Sequence, residues 1–297
     1  MTELRVAESD ADLEAWRRVR IAVLPNERAA SVAEMRRMAS PDRLWLLAEV
    51  DGAVVGAGVA ARSDFPGLGF VAPRVVPGAR RTGVGTALLH AMAAHLESLG
   101  YATIRASVDD PGSLVFAERF GFREVDREVE QVRVVTEYEP AGPPPDGVEI
   151  VSVADRPELW AAAYDTVALQ ALADMAFDQS PEVPREQWET LWLTDPQATF
   201  VAVANGEPVG CAGLQLDTDD PERAENALTA VRRDWRGRGV ASALKRATLA
   251  WASVNEIREV YTWTQRRNDD MRRLNTHLGY VTRTESISVQ GQLPLPD

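Results

Sequence analysis

The sequence has very little cysteine, lysine and histidine. Among its 297 residues, Cys211 is the only cysteine, Lys245 is the only lysine, and histidine occurs three times. A single cysteine excludes an intrachain disulfide and favours a reducing compartment. Histidines, cysteines and carboxylates do not occur at the spacing of metal ligands, so we expect no metal site. Nearly every positive charge is therefore an arginine.

Long apolar runs are also missing. No uninterrupted apolar stretch approaches the roughly 20 residues that cross a bilayer, and the residues after Met1 do not form an apolar signal segment. The formal net charge of −13 makes nucleic acid and anionic membranes poor partners. We therefore expect a cytoplasmic protein that binds neither nucleic acid nor membrane.

One motif, in contrast, is present twice. Residues 75–85 read Val-Val-Pro-Gly-Ala-Arg-Arg-Thr-Gly-Val-Gly, and residues 231–241 read Val-Arg-Arg-Asp-Trp-Arg-Gly-Arg-Gly-Val-Ala. Gly83 and Gly239 are 239 − 83 = 156 positions apart. Each copy follows a strand-like run and precedes a helical run, whose first backbone N–H groups can bind an anion. The glycines let a phosphate approach the backbone, so the motif predicts two phosphate sites.

The order of elements around the motif is repeated as well. Each half reads as a strand, one or two helices, a three-strand meander, the glycine loop, a helix, a strand, a helix and a strand. Asp51-Gly52 and Asn205-Gly206 are typical of hairpin turns within the two meanders. Residues 139–147, rich in proline and glycine, predict a stiff linker. We expect a mixed α/β fold with tandem domains at 1–138 and 148–297.

This order, together with the loop, resembles the GNAT superfamily of acyl-CoA-dependent N-acetyltransferases, whose loop reads Arg/Gln-x-x-Gly-x-Gly/Ala. Residues 80–85 and 236–241 match that pattern, and Val75 and Val231 stand five residues before the two arginines. The resemblance covers nearly the whole chain, twice. It implies two tandem GNAT-like domains, each a mixed, mostly antiparallel sheet flanked by helices.

Other phosphate-binding loops fit less well. The mononucleotide P-loop needs a Gly-Lys pair, which does not occur in this sequence. The dinucleotide fingerprint follows the first strand of a parallel unit, whereas these loops follow a meander. A further alternative is that the glycines form tight strand-to-helix turns and bind nothing.

The resemblance also implies acetyl-CoA, or another acyl-CoA, as the co-substrate. In the family, the loop binds the pyrophosphate through backbone N–H groups, and the strand before it pairs with the pantetheine arm. In the second half these roles fall on Thr229, Ala230, Val231, Arg236, Gly237, Arg238, Gly239, Val240 and Ala241. In the first half they fall on Pro73, Arg74, Val75, Arg80, Arg81, Thr82, Gly83, Val84 and Gly85.

The two halves differ downstream of the loop. The family often has an asparagine in the helix after the fifth strand, which helps to hold the cofactor, and a proton-donating tyrosine seven residues later. The second half has Asn268 at the first position and Asn275 at the second, whereas the first half has Asp110 and Ala117. We therefore expect the second half to bind the cofactor and react, with Asn275 at the place of the acid, and the first half to be degenerate.

The general base is harder to identify. Many family members have a glutamate four residues before the valine, where this chain has Ala227. Glu225 lies two residues earlier on the same strand face, because side chains alternate along a strand. It is our candidate base, acting through a water molecule. The alternative is that Glu225 is an exposed carboxylate at the end of the strand.

The implied reaction is transfer of an acetyl group to an amine by direct attack. The acceptor is expected to be a small molecule or a peptide, and the acidity of the chain suits a cationic one. We expect a monomer or a homodimer. The alternative function is a non-catalytic acyl-CoA-binding or regulatory protein, because the family's usual tyrosine and glutamate are both replaced.

Overall fold

The computed structural model describes residues 2–175, 180, 182–193 and 195–296. Contacts divide the chain into two compact units. Unit 1 comprises residues 1–127 and 286–297, and unit 2 comprises residues 128–285. Each unit is a mixed sheet with helices packed against it. The predicted fold class is therefore confirmed.

In unit 1, the first four strands form an antiparallel meander and the fifth runs parallel to the fourth. The strands are β1 (Thr2–Val6), β2 (Leu44–Val50), β3 (Ala53–Arg62), β4 (Gly69–Val75) and β5 (Thr103–Val108). The C-terminal part of β12 (Val281–Gln292) pairs antiparallel with β5. This strand closes the sheet of unit 1.

Helices cover both faces of the unit 1 sheet. They are α1 (Asp10–Val23), α2 (Val32–Arg37), α3 (Val84–Ser98) and α4 (Pro111–Arg119). Trp16 of α1 and Met35 of α2 pack against Ala57 on one face, whereas Leu88 of α3 packs with Ile104 on the other. The burial of apolar side chains on these helices is the main force that holds them to the sheet.

Unit 2 repeats the arrangement. Its strands are β7 (Glu149–Ser152), β8 (Thr199–Ala204), β9 (Glu207–Leu216), β10 (Arg223–Val231) and β11 (Glu259–Gln265), joined by the C-terminal part of β6 (Arg123–Val134). Its helices are α5 (Glu158–Ala163), α6 (Leu169–Ala173), α7 (Arg185–Leu191), α8 (Val240–Val254) and α9 (Asp269–His277). One π-helical stretch (Tyr164–Ala168) joins α5 to α6.

The two predicted hairpin turns are confirmed. Asp51 and Gly52 have φ angles of 51° and 77°, and Asn205 and Gly206 have φ angles of 52° and 81°. Positive φ at both central residues is the requirement of a type I′ turn, which Asp-Gly and Asn-Gly meet at low cost. These turns fix β2 against β3 and β8 against β9.

The strand that ends each repeat belongs to the other unit. Residues 128–134 of β6 pair with β11 in unit 2, and residues 287–292 of β12 pair with β5 in unit 1. The compact units therefore differ from the expected domains, 1–138 and 148–297, which follow the repeat in the sequence. Residues 139–147, the predicted linker, contain no helix or strand and lie inside unit 2, and the division into domains at this segment stays a prediction. A strand's sequence pattern indicates an extended conformation and not the strand that it will pair with.

Candidate functional site

The second glycine loop connects the end of β10 to the start of α8. A short 3₁₀ turn (Arg233–Trp235) leads to Arg236, and Gly239 precedes the first helical residue with a φ of 83°. Glycine adopts a positive φ without a steric penalty. No side chain in the described part of the chain caps α8, so its first N–H groups are left for a ligand. This helix start is therefore suited to an anion.

The first loop has the same backbone, and both loops share one hydrogen bond. Arg80 Nε donates to the carbonyl oxygen of Val75 at 3.1 Å, and Arg236 Nε donates to that of Val231 at 3.0 Å. The arginine thus satisfies the last carbonyl of the strand. This bond is the physical reason for the five-residue spacing between valine and arginine.

The loops differ at one strained position. Arg81 has a φ of 66°, whereas the matching residue of the second loop, Gly237, has a φ of 72°. A left-handed conformation costs a residue with a side chain roughly 1–2 kcal/mol, and glycine avoids this cost. The second loop therefore forms its shape with less strain.

The strand before each loop separates from its parallel neighbour. β4 and β5 pair only at Gly69↔Ile104 and Phe70↔Arg105, and β10 and β11 pair only from Arg223↔Glu259 to Glu225↔Tyr261. Beyond these points the described chain has no pairing on this edge of β4 or β10. The backbone groups of the segments assigned to pantetheine, residues 73–75 and 229–231, lie past the point of separation. Each unit thus has a cleft that ends at its glycine loop.

Glu225 lies at the vertex of the unit 2 cleft. It is the last residue of β10 that pairs with β11, and its carboxylate Oε2 accepts a hydrogen bond from the hydroxyl of Tyr261 at 3.3 Å. The side chain is half-buried, which distinguishes it from a fully solvated carboxylate. A β-bulge follows between Asn226 and Leu228. The position fits a base beside the cleft, and the catalytic role of Glu225 stays a prediction.

Asn268 and Asp110 occupy matching places in the two units. Asn268 is the N-cap of α9, where its Oδ1 accepts a hydrogen bond from the N–H of Met271 at 3.2 Å. Asp110 is the N-cap of α4, where its Oδ1 accepts from the N–H of Ser113 at 3.0 Å. Both residues therefore shape the helix that follows the fifth strand, and cofactor binding by Asn268 stays a prediction.

Asn275 is fully enclosed in unit 2. Its Nδ2 donates to Gln131 Oε1 at 3.0 Å and to Thr264 Oγ1 at 3.3 Å, while its Oδ1 has no hydrogen-bond partner within the described residues. Gln131 belongs to β6, the strand that unit 2 receives from the first repeat. The comparison of repeats could not identify Gln131, because it lies outside the expected second domain. The role of Asn275 in the reaction stays a prediction.

Lys245, the single lysine of the chain, is buried in unit 2. Lys245 of α8 is 1% exposed and donates a hydrogen bond to Asn226 Oδ1, beside the bulge in β10. Its Nζ lies 5.0 Å from the centroid of the Tyr280 ring. Burial lowers the pKa of Lys245 from 10.5 to about 7, because the interior disfavours the charged form. Lys245 lies at helical spacing with Thr248 and Ala252, which are both fully buried. This spacing is the signal in the sequence that could have indicated the burial of Lys245.

A carboxylate already contacts the second loop. Asp174, which caps the C-terminal end of α6, lies 2.5 Å from Arg233 Nη2 and 2.7 Å from Arg236 Nη2. Hydrogen bonds from Arg233 and then from Arg236 lower the pKa of Asp174 to about 2, so it is charged at neutral pH. An incoming anion must therefore compete with Asp174 for Arg236.

Asp174→Asn should consequently strengthen the binding of CoA to the second loop. An ion pair at the surface contributes about 0.2–1 kcal/mol, so we expect the affinity to rise about two- to fivefold. Calorimetric titration of CoA measures this. Asp234→Asn is the matched control, because Asp234 pairs with Arg232 of the same loop and has no ion pair to Arg236 among the described contacts. If both variants raised the affinity for CoA equally, the cause would be the general change in charge. Competition between Asp174 and CoA for Arg236 would then be contradicted.

The described part of the chain has neither a candidate metal cluster nor a candidate membrane-spanning helix. There, no three or more histidine, cysteine, aspartate or glutamate side chains are grouped so that they could hold a metal ion. None of the helices described is both long and apolar enough to cross a membrane.

Two comparisons with known sequences bear on the site. The model of the Acetyltransferase (GNAT) family matches residues 10–122 and again residues 142–280. A protein named mycothiol acetyltransferase, from Clavibacter michiganensis subsp. michiganensis (strain NCPPB 382), is 30% identical over 236 residues. That match spans 76% of this chain and 72% of the relative.

Two solved structures share the fold. A GCN5-related N-acetyltransferase from Sphaerobacter thermophilus has a TM-score of 0.76 at 21% identity, over 98% of this chain and 95% of the other. A tandem GNAT protein from the clavulanic acid biosynthesis pathway has a TM-score of 0.76 at 20% identity, over the full length of both chains. At such identities the likeness concerns the fold, and it extends to the tandem arrangement.

Proposed function

Because the chain belongs to the GNAT acetyltransferase family and is an N-acetyltransferase, we propose that unit 2 moves an acetyl group from acetyl-CoA directly to an amine. We choose unit 2 because its glycine loop is less strained and because the helix after its fifth strand begins at Asn268, where unit 1 has Asp110. A carboxylate beside a polyanionic cofactor is unfavourable. We propose a small-molecule or peptide acceptor, for which the net charge of −13 suits a cationic amine.

The proposed cofactor site uses the cleft and the loop together. The N–H groups at the start of α8 and the guanidinium of Arg236 would hold the pyrophosphate, since nothing caps the helix in the described chain. A Cβ at Gly239 would come within 3.7 Å of Pro145 Cγ and fill part of the cradle. Residues 229–231 would pair with the pantetheine arm along the edge of β10 that β11 leaves free. The residues present fit acetyl-CoA.

The chemistry that we propose needs few side chains. Bound acetyl-CoA supplies a thioester whose carbonyl carbon an amine can attack, forming the amide C–N bond as the C–S bond breaks. Glu225, at the vertex of the cleft, would accept the amine's proton through a water molecule. Asn275 is the predicted stabiliser of the departing thiolate, and its amide would have to exchange its bond to Thr264 for one to sulfur. Holding the amine against the thioester supplies much of the acceleration.

The test is release of CoA from acetyl-CoA when amines are supplied. The panel includes polyamines, amino sugars, peptide N-termini and the deacetylated form of mycothiol, taken from the name of the relative from Clavibacter. We expect turnover with at least one amine. Tight binding of acetyl-CoA without turnover of any amine would instead favour a non-catalytic acyl-CoA-binding role.

Glu225→Gln tests the proposed base. We expect the turnover number to fall at least about tenfold, because general-base catalysis is removed, while the affinity for acetyl-CoA is unchanged. The pH profile of turnover should also lose its acidic limb. Glu222→Gln is the matched control, since Glu222 is exposed and pairs with Arg258 just before β10 and β11 begin. An unchanged pH profile in Glu225→Gln would reject this residue as the base.

A further inference from the structure

Arg74 is a largely buried cation in unit 1 that the proposed reaction does not use. It lies near the end of β4, where the register pairs it with Ala57 on the face covered by α1. Its guanidinium carbon is 5.7 Å from the centroid of the Trp16 ring. A guanidinium over an aromatic face is held in a defined plane and remains free to hydrogen-bond at its edge.

One nitrogen at the edge of this guanidinium has no acceptor. Arg74 Nη1 is shielded from solvent and has no hydrogen-bond partner within the described residues. Buried polar groups are nearly always hydrogen-bonded, and a missing partner costs more when the group is charged. Burial, followed by repulsion from Arg20, lowers the pKa of Arg74 to about 10. The negative charge around Arg74 is therefore too weak to offset its burial.

A carboxylate that acts on Arg74 is already engaged elsewhere. Glu27 acts electrostatically on Arg74, but its Oε2 accepts a hydrogen bond from Arg20 Nη2 at 3.0 Å, and its backbone carbonyl accepts from Arg20 Nη1 at 3.3 Å. Glu27 is therefore shared with Arg20, and the other carboxylate that acts on Arg74, Asp109, is exposed to solvent. An external anion can therefore gain a strong contact here without displacing a protein group.

Arg74 lies past the point where β4 separates from β5, in the cleft of unit 1. β4 separates from β5 after Phe70, and Pro73, Arg74 and Val75 are all partly exposed. The residue 156 positions after Arg74 is Ala230, which is buried. The cationic group is therefore particular to unit 1, and the repeat that is expected to be degenerate is the one that carries it.

We propose that unit 1 binds a carboxylate-bearing small molecule on the α1 side of its cleft, with Arg74 as the anchoring residue. A carboxylate is planar and matches the edge of a guanidinium whose face is occupied by an indole ring. The site differs from the glycine loop of unit 1, which combines the N–H groups at the start of α3 with Arg80 and Arg81, both exposed to solvent. The occupant is either an acceptor that carries a carboxylate or a regulatory metabolite, and both present the same group to Arg74.

Calorimetric titration of acetate, succinate, glutarate and benzoate into the full-length protein tests the proposal. We expect at least one of the four carboxylates to bind wild type. Its affinity for Arg74→Met should be at least about tenfold lower, because the variant lacks one charge-assisted hydrogen bond. Glutaramide, the uncharged counterpart of glutarate, should not bind. Failure of all four carboxylates to bind wild type, or equal binding to Arg74→Met, overturns the proposal.

Two controls distinguish this site from a phosphate site and from the glycine loop. Gly83→Glu disrupts the glycine loop of unit 1 and should leave carboxylate binding unchanged, whereas loss of binding would assign the anion to the loop. The choice of a carboxylate would be overturned if inorganic phosphate bound wild type as tightly as the carboxylates do and Arg74→Met no longer bound it. These results do not depend on acetyl transfer, so the proposed function and this site can fail separately.

The stability of Arg74→Met to urea provides a second test of the proposal. Arg74→Met keeps an unbranched side chain over Trp16 and removes an unpartnered charge, so its urea midpoint should equal or exceed that of wild type. Arg74→Gln, which retains a polar group, provides a second variant for the binding measurement. A clear loss of stability in both would mean that the guanidinium has a partner in the protein, contrary to the proposal.

Discussion

Gly239→Glu is expected to weaken the binding of CoA by more than about a hundredfold. Gly239 has a φ of 83° immediately before α8, and a side chain at this position would enter the space where the pyrophosphate is proposed to lie. A glutamate would also direct a negative charge at the start of the helix, where it can take the place of the ligand. Calorimetry with CoA measures the change, and a hundredfold loss corresponds to about 2.7 kcal/mol of binding free energy.

Two glycines provide matched controls for the strain of this substitution. Gly206→Glu places the same side chain at a φ of 81° in the hairpin turn between β8 and β9. It should lower stability to a similar extent and leave CoA binding intact. Gly83→Glu makes the equivalent change in the first loop, where φ is 91°. If Gly83→Glu, and not Gly239→Glu, removed the binding of CoA, unit 1 would be the site and our assignment to unit 2 would be wrong.

The features predicted well from the sequence are those set by local backbone chemistry. The two hairpin turns follow from Asp-Gly and Asn-Gly pairs that tolerate positive φ. The loops follow from glycines at Gly83 and Gly239 and from an arginine that reaches back five residues to the strand. Each of these depends on residues close together in the chain. Such residues contact one another in any fold that contains the same turn or loop.

The exchange of strands could not be predicted in this way. β6 and β12 each contain 12 residues, and part of each pairs in the unit opposite to its own repeat. The alternation of side chains along a strand is the same whichever neighbour it pairs with. Asn275 is therefore hydrogen-bonded to Gln131, a residue of the first repeat that the alignment of the two repeats does not place near it.

The surroundings of two charged residues, Arg74 and Lys245, could not be predicted for a different reason. The pairing of the Arg74 segment of β4 with pantetheine stays a prediction. The side chain of Arg74 lies on the opposite face from Pro73 and Val75, because side chains alternate along a strand. Its packing against Trp16 is a tertiary contact between β4 and α1. Burial of Arg74 depends on such contacts and could not be recognised from the sequence, whereas burial of Lys245 is indicated only by its spacing along α8.

Lys245→Met is expected to remove a large pH dependence of stability. The pKa of Lys245 falls from 10.5 to about 7 on folding, because burial disfavours the charged ammonium. Its side chain hydrogen-bonds to the neutral Asn226 and has no carboxylate partner among the described contacts. Below about pH 7 both the folded and the unfolded chain carry the proton, and the folded state bears the full cost of a buried charge. Between about pH 7 and 10.5 only the unfolded chain is protonated, so stability rises with pH. The full difference is about 5 kcal/mol, at 1.36 kcal/mol for each pKa unit.

The experiment compares urea unfolding of wild type and Lys245→Met from pH 6 to pH 9. At pH 6 the methionine variant should be the more stable, and between pH 7 and 9 wild type should gain about 2 kcal/mol relative to it. Asn226 keeps its hydrogen bond from Thr229 Oγ1 in the variant, so the bulge beside the cleft retains a partner. Arg246→Met, one residue along α8 at a partly exposed position, is the control and should follow wild type at every pH. A constant difference between wild type and Lys245→Met would mean that Lys245 stays charged when folded, and the cleft of unit 2 would then lie above a buried cation rather than a neutral amine.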